Sequence, residues 1–129
     1  GYHKPAPQVT RGLIRSEDGL ERAVLAACRY FAAERVHSSG VPVRLFTGNR
    51  SFHILLAIEG CFTVVSETSE CALARGRACL VPAEMNAYDV TGTGTFLLYY
   101  VPDLSSDVIE PLRCRGYSEP EIYAILGLS

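Results

Sequence analysis

The sequence predicts an all-β fold, a jelly roll with a short C-terminal helix, and three observations carry that prediction. From Val41 onward, short β-branched or aromatic runs alternate with Gly, Pro, Asn and Ser, the spacing of strands and turns in a sandwich or barrel. The length of 129 residues suits one compact domain, because a chain of this size buries roughly two-thirds of its unfolded surface. Near the C-terminus "SEPEIYAILG" changes period, and a helix start and stop can be read in it.

Taken in order, residues 1–20 read as an extended lead-in or linker, since Gly1 to Gly12 carry two prolines and little periodicity. The next segment, "ERAVLAACRYFAAERV" from Glu21 to Val36, is ambiguous. Its Ala, Glu, Arg and Leu content favours a helix, yet Phe31, Ala33 and Arg35 alternate against Tyr30, Ala32 and Glu34 as they would in a strand. The runs "VPVRLF", "SFHILLAIEG", "CFTVVSE", "ECALARG", "ACLVPA", "NAYDVTG" and "GTFLLYYVP" are the strands of a β-domain spanning 21–104. Between the last two, "TGTGT" (Thr91 to Thr95) reads as a hairpin turn; it has no following helix whose N-terminus would turn its glycines into a phosphate cradle. Residues 105–129 form an extension. In it Ser118 is placed to cap, Glu121 completes a capping box, Pro120 fits the first turn and Gly127 closes a helix over Glu119 to Leu126.

Composition narrows the partners. With 48% apolar residues, 20% charged and a net charge of -2, nothing marks the chain as disordered. The slightly acidic balance gives no electrostatic case for nucleic acid or a membrane surface. No run approaches the ~20 apolar residues of a membrane span, and "GYHKPAPQVTRG" lacks the apolar core of a secretory signal, so a cytoplasmic location is expected. The five cysteines, Cys28, Cys61, Cys71, Cys79 and Cys114, are odd in number and show no C-x-x-C spacing. They read as reduced thiols, with Cys61 and Cys79 as small core residues. The chain opens on Gly1 and its only methionine is Met85, which fits a tagged domain or a piece of something longer and leaves its status as a fragment open.

The ordered set "CRYFAAERV", "ILLAIEG", an L-x-x-G turn in "LARG", "VPA" and the G-x-G-x-F of "GTGTF" resembles the cupin superfamily. More closely, it is similar to the C-terminal β-domain of class I, zinc-dependent mannose-6-phosphate isomerases. The resemblance covers about Ala27 to Val101. It implies a double-stranded β-helix, a strand over Ala27 to Val36, and a parent reaction interconverting mannose 6-phosphate and fructose 6-phosphate. In that family the zinc belongs to a separate upstream catalytic domain, which no segment of this chain matches.

The resemblance also locates where a metal-binding cupin would hold its ion, through two histidines and a glutamate from one motif and a histidine from a second. Those positions fall on Phe46 to Asn49, on His53 and on Ala87, two residues after the "VPA" proline being Glu84. One histidine in place of a glutamate, and no imidazole at the other positions, is a poor donor set for zinc. No metal, cofactor-binding or catalytic residue is therefore expected here. His53 is expected as a polar group inside the barrel, and Glu59, Glu84 and Asp89 as solvated charges at strand ends. If His53 points inward, Phe52, Ile54, Leu56 and Ile58 form an apolar row pointing outward. That row predicts an interface with the upstream catalytic domain or with a second copy of the chain. The alternatives are a stand-alone cupin that senses a sugar or other ligand, and a docking module with no ligand, which a barrel filled by its own side chains would favour.

Overall fold

The computed structural model of the chain describes residues 12–16 and 20–127, so residues 1–11 and 17–19 of the lead-in expected over 1–20 lie outside them. Eight antiparallel strands follow one another: β1 (Leu13–Ser16), β2 (Leu20–Ala27), β3 (Ala32–Ser39), β4 (Val43–Phe46), β5 (His53–Val65), β6 (Glu70–Leu73), β7 (Ala78–Val81) and β8 (Ala87–Tyr100). Their order in the sheet is β1-β2-β3-β8-β5-β6, with β4 also on β8 and β7 also on β5.

Two long strands make this a jelly roll. One half of β5 (His53 to Leu56) borders β7, and the other (Phe62 to Val65) borders β6. Likewise β8 pairs with β4 through Ala87 to Val90 and with β3 through Thr93 to Tyr100. Each long strand thus passes from one layer to the other, and the apolar side chains between the layers form the core. Phe96, Leu98, Leu55, Leu45, Tyr88, Val36 and Val24 are buried there, and Phe62 meets Phe96 edge to face at 5.1 Å.

The corner where the layers meet corrects the reading of "TGTGT" as a hairpin turn. Thr91 to Thr95 lie inside β8 and pair with β5 throughout. Gly60, Gly92 and Gly94 have φ of 82°, 132° and 140°. A Cβ on Gly94 would overlap the Glu59 carbonyl oxygen, and one on Gly60 that of Thr93. Glycine is needed here for backbone approach and bend. A bulge between Ala57 and Glu59 at the same corner reverses the alternation of β5. His53, Leu55 and Ala57 face inward before it, Phe62 and Val64 after it. For that reason Cys61 is exposed instead of serving as a core residue, while Cys79 is half-buried and packs on the core.

Glu21 to Val36 resolves into β2, a turn closed by Cys28 N–H donating to the Phe31 carbonyl (2.8 Å), and β3. Helix propensity loses because β2 is hydrogen-bonded on both sides, by β1 and β3. β1 itself lies within the residues read as a lead-in. The extension after residue 104 packs onto the β-domain. A π-helical stretch (Leu104–Ile109) runs into α1 (Glu110–Cys114), and α2 (Glu119–Ile125) follows. These place Val108, Leu112 and Ile122, all fully buried, in the core of the barrel, and Ile14 N–H donates to the Tyr117 hydroxyl at 3.0 Å. The extension is part of the domain because its apolar residues complete the core. α2 carries the expected capping box, with Ser118 Oγ accepting from Glu121 N–H and Glu121 Oε1 accepting from Ser118 N–H at 2.9 Å.

Candidate functional site at the barrel mouth

Strand alternation builds the site. In β3, Ala32, Glu34, Val36 and Ser38 point inward, which buries the Glu34 carboxylate completely. A buried carboxylate requires a partner, and β2 supplies Arg22, whose Nε donates to Glu34 Oε1 at 2.7 Å. The Tyr100 hydroxyl, at the end of β8, donates to Glu34 Oε2. Opposite Tyr100 in register stands His53. The imidazole is 6% exposed, its Nδ1 lies 2.6 Å from the Tyr88 hydroxyl, and its ring centre is 5.6 Å from those of Tyr88 and Tyr100.

Beside this network is a cavity of about 160 Å³ at the barrel mouth, whose lining includes Arg22, Thr47, Arg50, Ser51, His53 and Tyr100, together with Phe46 and Asp107. The hydroxyls are held in place: Thr47 Oγ1 donates to the Ala83 carbonyl at 2.6 Å, and Ser51 Oγ donates to the Phe52 carbonyl while accepting from Val101 N–H. Arg50 is paired with Asp107 at 3.0 Å. Arg22 uses Nε for Glu34, and neither Nη meets an acceptor among the described residues.

Charge states follow from burial. Desolvation works against the charge of Arg22, but Glu34 more than offsets it and the guanidinium pKa rises. Burial pushes the His53 imidazole down to about 4, helped by the Arg22 charge and opposed by Glu34 and Asp107, so the ring is neutral at neutral pH. Burial raises the Tyr88 phenol, which stays protonated. The linkage has a definite sign. A histidine whose folded pKa lies below its unfolded value of 6.5 takes up a proton on unfolding, so its contribution to stability is complete above pH 6.5 and falls away as pH drops towards 4. We expect the stability difference between the wild type and His53→Gln to be constant above pH 6.5 and to shift against the wild type between pH 6.5 and 4 in urea titrations. A difference that stays flat to pH 4 would contradict the shift.

The site does not fit a resident divalent metal. Of the positions where a cupin would hold one, Phe46 is 67% exposed, Thr47 is tied to Ala83, Ala87 offers no donor, and Glu84 is exposed on the 3-10 turn Ala83–Met85. Of these positions His53 alone offers an imidazole or carboxylate to the interior, and the Arg22 charge there works against a cation beside it. No group of three or more His, Cys, Asp or Glu side chains among the described residues is arranged to hold an ion. Glu59 is exposed and Asp89 pairs with Arg44 at 3.3 Å, so neither joins the cavity.

Phe52, Ile54, Leu56 and Ile58 lie on the outer face. Phe52 and Ile58 are 45% and 41% exposed, Ile54 and Leu56 half-buried. In register beside Ile54 stand Leu80, 64% exposed, and Tyr99, and beside Leu56 stand Ala78 and Leu97. The apolar surface therefore spans three strands. Sequence reasoning missed Arg22, Glu34, Tyr88 and Tyr100. The signal for Glu34 was available, because it shares the phase of Ala32 and Val36 in an otherwise apolar row.

A folded-over antiparallel barrel with a mouth lined by inward side chains defines a cupin. The family described as "Mannose-6-phosphate isomerase, cupin domain" matches residues 21–101, and the chain belongs to that family. Among solved structures it is similar to the mannose 6-phosphate isomerase of Bacillus subtilis, at 24% identity and a TM-score of 0.57 over 67% of this chain and 27% of that one. It therefore spans about a quarter of that enzyme's length. An RmlC-like cupin from Shewanella frigidimarina matches at 18% identity and a TM-score of 0.66, over 82% of this chain and 97% of that one. A variant of Streptomyces PAC13 solved with uridine matches at 16% identity and a TM-score of 0.62, over 78% and 84%. No curated protein matches by sequence.

Proposed function

We propose that this chain is the metal-free cupin domain of a mannose-6-phosphate isomerase-like protein and that it carries no catalytic machinery of its own. The observation that supports this reading is the interior itself, where Arg22, Glu34 and Tyr100, with His53 and Tyr88, stand in place of metal ligands. In the parent reaction a proton moves between adjacent carbons of the sugar phosphate through an enediol, and zinc in the catalytic domain supplies Lewis-acid polarisation. No residue of this chain has a step in it. After dialysis the purified chain should hold well under one zinc per molecule and should not convert mannose 6-phosphate above a protein-free control. One zinc per chain that is lost in His53→Ala, or turnover that persists through further purification, would overturn the reading. Reduced cysteines suit the reducing cytoplasm as its location; among the described residues no helix is long and apolar enough to cross a membrane.

In this reading the outer face docks the metal-bearing half of the same protein. Chain length argues for that occupant: the Bacillus subtilis enzyme is nearly four times the span matched here. Ile54→Asp places a charge at the centre of the face, and burying it there would cost several kcal/mol. The variant should fold with a near-normal melting temperature yet fail to co-elute with the catalytic half. Loss of self-association instead would assign the face to a second copy, and outright unfolding would place Ile54 in the core.

A second reading, a stand-alone cupin that binds a small molecule, is favoured by one observation. The mouth is not filled by side chains, and Arg22, whose Nη atoms meet no acceptor among the described residues, lines the open cavity. Streptomyces PAC13, a protein of similar fold, was solved with uridine. A saturable change in melting temperature or in amide shifts around His53 with a small polyol or acid supports this reading; its absence removes it.

A further inference from the structure

The mouth cavity contains an unusual imbalance of donors. Arg22 is bonded through Nε to Glu34, and its side chain is 18% exposed, yet Nη1 and Nη2 reach no acceptor among the described residues. Buried donors without acceptors are disfavoured, and a guanidinium presents its two terminal nitrogens as a fork that matches the two oxygens of a carboxylate. The rest of the lining adds capacity for hydroxyl groups. His53 uses Nδ1 for Tyr88, which leaves Nε2. Thr47 and Ser51, anchored through their own protons, offer oxygen lone pairs.

Formal charge limits the anion. Arg22 is balanced by Glu34 and Arg50 by Asp107, and the imidazole is neutral, so among the described residues the lining has no surplus positive charge to hold a dianion. A monoanion whose charge sits directly on the guanidinium fork is accommodated; a phosphate monoester carries a second charge with nothing facing it. The volume of about 160 Å³ has room for several heavy atoms.

We propose that the mouth cavity binds the carboxylate of a small hydroxylated acid of the sugar-acid type, with Arg22 Nη1 and Nη2 on the carboxylate oxygens and His53 Nε2 on a neighbouring hydroxyl. This deepens the small-molecule reading above and rests on it. Titration of the full chain with sodium gluconate, followed by the NMR signals of the Arg22 Nε–H and the His53 ring, is the test. Gluconate should produce saturable shifts of both, at least about tenfold more tightly than glucose and than inorganic phosphate, and acetate should compete for the Arg22 shift alone. Arg22→Lys, which keeps the charge opposite Glu34 but loses the fork, should weaken gluconate by about tenfold or more. The acetate competition in the wild type decides the matter even if that variant folds poorly. Glucose binding as well as gluconate, with no acetate competition, would overturn the carboxylate assignment and leave the small-molecule reading standing. Tighter binding of phosphate would overturn the charge argument. No saturable shift with any of the three would sink both.

Discussion

Glu34→Gln is expected to destabilise the fold by about 3–5 kcal/mol, because it leaves the Arg22 guanidinium inside the barrel without a counter-charge. The substitution is nearly isosteric, so packing around Val36 and Leu98 is preserved and the effect is electrostatic. Against a typical domain stability of about 5–15 kcal/mol this is a large fraction, and the midpoint of urea unfolding should fall accordingly. The double variant Arg22→Met with Glu34→Leu removes both charges and fills the volume with apolar atoms. It is expected to recover most of the loss, since replacing a buried pair by hydrophobic side chains is commonly neutral or stabilising. A loss below about 1 kcal/mol for Glu34→Gln would mean that the pair is solvated in solution, as exposed ion pairs are. The same outcome would weaken the case for the carboxylate site, which needs a desolvated guanidinium.

The second large effect is expected at the corner of the barrel. Gly94→Ala puts a Cβ where the Glu59 carbonyl oxygen lies, at a φ of 140° that side-chain-bearing residues avoid. Backbone strain there costs about 1–3 kcal/mol, and forcing β5 and β8 apart costs about 1–3 more. The two-strand crossover holds both layers together, so the loss should appear as global unfolding at lower denaturant and not as local fraying. Gly76→Ala is the control. Its φ is 81°, but nothing lies within 4 Å of the added carbon, and the expected cost is only the left-handed backbone term of about 1–2 kcal/mol. Equal destabilisation by the two substitutions would show that conformational strain, not close approach of the strands, is what Gly94 relieves.

Both effects sit at places where local sequence signals and the fold disagree. "TGTGT" contains the residues of a turn, and its glycines do serve backbone geometry, but whether they reverse the chain or let a strand pass close to another depends on β5, a partner some 30 residues away. The bulge at Ala57 to Glu59 is equally invisible in a window of alternating residues, and it alone decides that Phe62 turns inward and Cys61 outward. The C-terminal extension was readable as a helix from Ser118 and Glu121 because a capping box is a local hydrogen-bond arrangement. Its place in the core was not, because Val108, Leu112 and Ile122 are buried where the helical segments pack against β1 and β2, far away in the chain.

What the sequence by itself determined was the set of short-range facts. These are the strand spacing from Val41, the helix over Glu119, the cupin resemblance, and the alternation that puts His53 and Phe52 on opposite faces without saying which face is the inner one. A period of two along a strand records which face each residue takes, and that information survives without any partner. The tertiary structure alone decided which inward residues meet. Arg22, Glu34, His53, Tyr88 and Tyr100 come from four strands, β2, β3, β5 and β8, and are brought together by sheet order and register. Long-range pairing sets those contacts through hydrogen bonds between strands far apart in the chain, so a buried charge, a lowered imidazole pKa and an open guanidinium fork arise only once the barrel has closed.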